Sequence, residues 1–256
     1  MGDSGKKSFP DQVRTTFEKW TRGLSFDAVV VILAATVFLI LFHENGSSAV
    51  FRNHFLRHFP QSEFRGLYPA FYWYACAFLM LGVVPLLLGR LVLGFSLKDL
   101  GVGLGDWKFG LKAVALLYLA FLPILILVSS TPAFCHKYPL FIDAKRSFGH
   151  FVLYEGAYAV YFIGWEFIFR GFLLFGLKPA LGFYAVFIQT IPFAILHFGK
   201  PQPETLAAIV AGLLLGYLAL RTRSFWYCWL LHSLVAITND VLALIYKSPQ
   251  GQGIFS

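Results

Sequence analysis

From Ala28 to Phe42 the chain reads AVVVILAATVFLILF, without a charged residue, a glycine or a proline. Runs of this kind recur along the chain, and they dictate what it can become. The first extends over Phe26–Phe42, near the lower length limit for crossing a bilayer. Others span Pro69–Leu88, Phe109–Val128, Phe148–Leu177, Leu181–Phe198, Glu204–Leu220 and Trp226–Tyr246. The residues are 58% hydrophobic and 13% charged, against roughly a quarter charged in soluble chains. A soluble core has no use for so much apolar surface, whereas a bilayer does. The expected fold is all-α, a polytopic bundle of about seven transmembrane helices, and the expected location is the cell membrane.

The formal net charge of +8 does not point to nucleic acid. Lys19, Arg22, Arg90, Lys178, Arg221 and Arg223 flank apolar runs, which is where membrane orientation places them and where they meet the lipid bilayer's anionic headgroups. Their excess on the N-terminal side favours that end inside, modestly. Cys76, Cys135 and Cys228 are scattered and read as packing residues. No cofactor and no metal are expected. His54 and His58 have chelating spacing, but without an acidic third ligand they read as part of an interfacial helix.

The chain divides into a polar, amphipathic and cytoplasmic segment (1–25), N-terminal membrane helices and loops (26–147), a membrane core (148–246) and a tail (247–256). The first segment does not read as a cleavable signal peptide. "FSLKDLGVGLGDWKFG" is a connector with Trp107 at the interface. The helix from Phe148 is longer than a bilayer core needs, so it tilts or breaks, with Gly164 a candidate point. Gly212 and Gly216 have the spacing that lets helices approach closely.

Inside the spans lie few ionisable groups: Glu155, Glu166, Arg170, His197, His232 and Asp240. A charge at mid-membrane costs several kcal/mol, roughly 2.5–3.5 by insertion scales, so each is a functional candidate. Glu166 and Arg170 stand i, i+4 and could neutralise each other. Together with two imidazoles on other helices, they have the chemistry to activate a water and stabilise an oxyanion.

The segments "WEFIFRG", "FAILH" ending at His197, and "LLHS" with His232 resemble the CAAX-protease and bacteriocin-processing (CPBP/Abi) family of intramembrane endopeptidases. That family carries Glu-Glu-x-x-x-Arg, Phe-x-x-x-His and His-x-x-x-Asn/Asp on membrane helices. The resemblance covers about residues 150–245. It implies a glutamic-type endopeptidase, in which a Glu and a His activate the water that hydrolyses a membrane-embedded peptide or a lipid-modified protein, with Glu166, Arg170, His197 and His232 as catalytic residues. The family's first Glu is Trp165 here, and its final Asn/Asp falls on Ala236. Trp165 cannot remove a proton from water, and Arg170 beside Glu166 weakens it as a base. Glu204, Asn239 and Asp240 are possible supporting residues. Asn239 lies two turns from His232 on nearly the same face, and Asp240 is next to it. Glu204 equally suits the first turn of a helix, and Glu155 reads as lining an access route. Two other functions remain open: a catalytically silent relative that binds a membrane protein, and a proton-coupled transporter.

Overall fold

The computed structural model describes residues 9–21 and 23–247. The first eight residues of the N-terminal segment and nearly all of the tail lie outside them. The described residues form nine helices and no strand: α1 (Phe9–Trp20), α2 (Phe26–His58), α3 (Arg65–Leu91), α4 (Trp107–Ser129), α5 (Pro132–Lys137), α6 (Phe148–Leu181), α7 (Tyr184–Ile195), α8 (Gln202–Thr222) and α9 (Trp226–Lys247). Six of these are long and apolar enough to cross a membrane: α2, α3, α4, α6, α8 and α9. The protein is a multi-pass membrane helix bundle. The seventh apolar run is α7, at 12 residues too short to cross alone. Beyond it the chain turns back through residues 196–201 into α8.

Local chemistry sets the helix starts. Ser25, Asp106 and Ser147 accept the backbone N–H groups of Ala28, Phe109 and His150, respectively, which would otherwise be orphaned at the first turn. α1 is amphipathic and tied to the start of α2 by an Arg14–Asp27 ion pair of 2.7 Å and an edge-on Phe17–Phe26 contact. His54 and His58 are exposed in the irregular last turns of α2.

α6 is the centre of the bundle. Its most apolar stretch is 89% buried, against 11–39% for the other five long helices, so the protein itself forms its surroundings. Gly164 is where α6 crosses α3: a Cβ there would run into the backbone of Ala77 and Phe78. The helix is irregular a little further on, where Phe167–Leu173 winds as a π-helix. Such widened turns recur at functional sites, and this one carries Arg170. Gly212 and Gly216 bring α8 against Thr190 and Gln189 of α7, as their spacing predicts.

The two faces of the bundle are pinned separately. On one, Asp106 N–H donates to the Thr222 carbonyl (2.9 Å), and Gly105, at φ +52°, lies where any Cβ would overlap that carbonyl. The start of α2 belongs to this side, since Val31 packs on Gly176 near the end of α6. On the opposite face, His150 bonds the Glu63 carbonyl (3.0 Å), and Tyr138 reaches Glu204.

Candidate active site

Glu166 is the last residue of the regular part of α6, and Arg170 follows one turn on, both fully buried. Arg170 Nη1 donates to Glu166 Oε1 (3.2 Å) and lies 3.1 Å from Oε2. Two charges without solvent need more than each other. The guanidinium finds it in Phe193, whose ring centre is 3.9 Å away, and in Phe169 at 5.6 Å. Glu166 finds it in His232 of α9, whose Nδ1 is 2.6 Å from Oε1. The pair is therefore a hub joining α6, α7 and α9.

His197 follows the end of α7. Its Nδ1 lies 2.7 Å from the Phe193 carbonyl. A carbonyl only accepts, so Nδ1 carries the hydrogen, and Nε2 of the neutral ring is left with its lone pair. The same reasoning applies to His232: Nδ1–H is given to a carboxylate, and Nε2 remains. The two rings lie nearly parallel, 16° apart, with centres separated by 6.4 Å. Phe193 has two roles here, its ring on Arg170 and its carbonyl on His197.

Both imidazoles line a partly open cavity of about 600 Å³ between α4, α6, α7, α8 and α9, with Phe134 of α5 and Tyr138 also on its wall. Its walls are mainly apolar, from residues such as Leu117, Phe121, Ile124, Phe162 and Leu214. Trp165 is part of the wall, stacked on Tyr161 at 5.4 Å and edge-on to His197 at 6.1 Å. Its indole N–H is buried and meets no acceptor among the described residues. Ala236 also lines the cavity, leaving open space where a longer side chain would enter.

The structure sorts the candidates read from the sequence. Glu166, Arg170, His197 and His232 come together, but only the histidines reach the cavity. Asn239 lines it too, and its Oδ1 accepts from Ser129 (2.8 Å). Glu204 lines it as well, bonded by the Tyr138 hydroxyl at 2.6 and 2.7 Å. Asp240 is fully buried behind the wall, beside Glu155. Glu155 is thus packed between helices rather than lining an access route, because its face of α6 turns towards α9. Among the described residues no three His, Cys, Asp or Glu side chains stand together as metal ligands. Sequence reasoning passed over Lys200 and Tyr138, both of which line the cavity. Lys200, four residues before Glu204 and three after His197, was the available signal; nothing marked Tyr138.

Residues 149–238 match the family described as type II CAAX prenyl endopeptidase Rce1-like. That segment contains Glu166, Arg170, His197 and His232, and the match supports the resemblance to the CAAX-protease and bacteriocin-processing family. Among curated proteins and among solved structures, no match was found.

Proposed function

We propose that this family core makes the protein an intramembrane endopeptidase, cutting a peptide bond in a membrane-held, lipid-modified tail such as a prenylated CAAX terminus. The observation that carries the reading is the pair of imidazoles. Each has its Nδ1 hydrogen committed to a protein acceptor, and both rings line the same cavity, so their Nε2 atoms are the proposed acceptors there. Two such acceptors hold both hydrogens of one water, which turns its oxygen lone pair towards a carbonyl carbon.

In the proposed reaction the water oxygen bonds to the scissile carbonyl carbon as His197 Nε2 takes its proton. His232 Nε2 keeps the second hydrogen bond. When the C–N bond breaks, His197 returns the proton to the departing amine, leaving a carboxylic acid and an amine. Glu166 acts through His232, fixing its tautomer and ring direction, and Arg170 fixes Glu166. This division of labour follows from burial: Glu166 is 0% exposed, so water does not reach it. The apolar walls suit a lipid chain and keep bulk water away from the reacting bond.

A second reading has its own observation in favour. Trp165 fills the position of the family's first carboxylate, and the wall at Ala236 lacks the family's polar side chain, which suits a silent relative that binds a lipid-modified tail without cutting it. The test is incubation of the purified full chain with a prenylated CAAX peptide, with products identified by mass spectrometry. New termini at one internal bond support the peptidase. Binding with no cleavage supports the silent relative.

A further inference from the structure

Lys200 introduces an ammonium group into a largely apolar cavity, and its surroundings leave it incompletely used. Its Nζ donates to the Tyr138 hydroxyl at 2.6 Å and stands 4.6 Å from the centre of that ring. Glu204 Oε1 is 3.7 Å away, close enough to pair by charge but outside hydrogen-bond reach. Tyr138 spends its own hydrogen on the Glu204 carboxylate. The phenol thus stands between the two ions, accepting from one and donating to the other. An ammonium has three N–H bonds; among the described residues the one at hydrogen-bond distance goes to Tyr138, and Glu204 pairs with the charge from 3.7 Å. A cation held in place, with donors to spare, inside an apolar cavity selects for an anionic group on what enters.

Its position says which anion. Lys200 is one turn beyond His197, its backbone N–H donating to the His197 carbonyl at 3.1 Å. One such turn plus a lysine side chain spans about the same length as three extended residues, roughly 10 Å. Resting on the proposed peptidase function, we infer that Lys200 is the anchor for the free C-terminal carboxylate of the substrate, with Tyr138 and Glu204 as its positioning residues. Anchoring the terminus there sets the bond a few residues inward against the two Nε2 atoms. Lys200 then measures the tail from its end, which makes it a specificity-determining residue rather than a catalytic one.

The test separates this inference from the cleavage reading. Binding is measured in the otherwise full-length His197→Ala protein, with a prenylated CAAX peptide carrying either a free carboxylate or a C-terminal amide. The free carboxylate is expected to bind about tenfold tighter or more, the range of a hydrogen bond to a charged group. Adding Lys200→Met should bring the two peptides to equal affinity, leaving the amide unchanged, and Lys200→Arg should keep part of the preference. Equal binding of the two peptides when Lys200 is present, or equal weakening of both by Lys200→Met, overturns the inference. So does binding of neither. Cleavage by protein with His197 intact is scored separately, so an absence of products bears on the peptidase reading and not on the anchor.

Discussion

Glu166 Oε1 lies 2.6 Å from His232 Nδ1, while the same carboxylate holds Arg170 at 3.1–3.2 Å. One buried carboxylate thus orients an imidazole from another helix, 66 residues further along the chain. Under the proposed function, this arrangement gives Glu166 the part of a positioning residue. Glu166→Gln removes its charge and leaves Arg170 buried without a counter-ion. The double variant Glu166→Gln/Arg170→Met removes both charges, so its unfolding in detergent should be less perturbed than the two single effects added together. Its cleavage rate should stay well below that of the unaltered protein, because His232 has lost its charged acceptor.

Arg170→Ala is the variant expected to damage folding most. It strands Glu166 and strips Phe193 and Phe169 of the guanidinium between them. A broken buried pair costs about 3–5 kcal/mol. His232→Ala leaves Glu166 with Arg170 and removes one hydrogen bond to a charged group, about 1.5–3 kcal/mol. Denaturation in detergent should therefore rank Arg170→Ala below His232→Ala, and the opposite order would remove the hub assignment.

Much of this site is legible along the chain. Uninterrupted apolar runs require membrane helices, and charge inside them is expensive enough to single out Glu166, Arg170, His197 and His232. What periodicity does not carry is contact between distant helices. Asn239 and Asp240 are neighbours in sequence, yet one faces the cavity and the other turns behind its wall, a matter of one helical step and of which helix packs there. Lys200 escaped notice because a lysine after a glycine at a helix end reads as a solvated turn. Only the fold brings Tyr138, 62 residues earlier, against it. The shortness of α7 was hidden for a related reason: the apolar run continues past Ile195 through Leu196 and His197, which line the cavity, to an exposed Phe198.

Trp165→Glu tests the departure from the family's pattern. A carboxylate at this position would enter the wall beside His197, where the indole ring now lies 6.1 Å from the imidazole. Removing a buried aromatic costs about 3–5 kcal/mol, so the variant should melt earlier. A second base next to His197 should nevertheless raise the turnover of the folded fraction, by on the order of tenfold, since general bases contribute 10²–10⁴ and His197 already supplies one. A variant that folds yet turns over more slowly would place the indole itself in the reaction.

Orientation offers a further check. α1 and the start of α2 lie on the face of the bundle opposite to Tyr138 and Glu204. In a protein whose native cysteines are replaced by serine, Lys19→Cys and Lys145→Cys should label from opposite sides of sealed vesicles with a membrane-impermeant maleimide. Labelling of both from one side would contradict the crossing pattern of α2 to α6.

The central claim is that His197 Nε2 removes the proton from the attacking water. The direct measurement is cleavage of a prenylated CAAX peptide by purified protein and by His197→Gly, each with and without added imidazole. The account predicts that His197→Gly folds and binds peptide but cleaves about 10²–10⁴ times more slowly, and that free imidazole entering the cavity restores part of the rate. Cleavage by His197→Gly at the unaltered rate, or a loss that imidazole leaves untouched while Glu204→Gln abolishes activity, would contradict it.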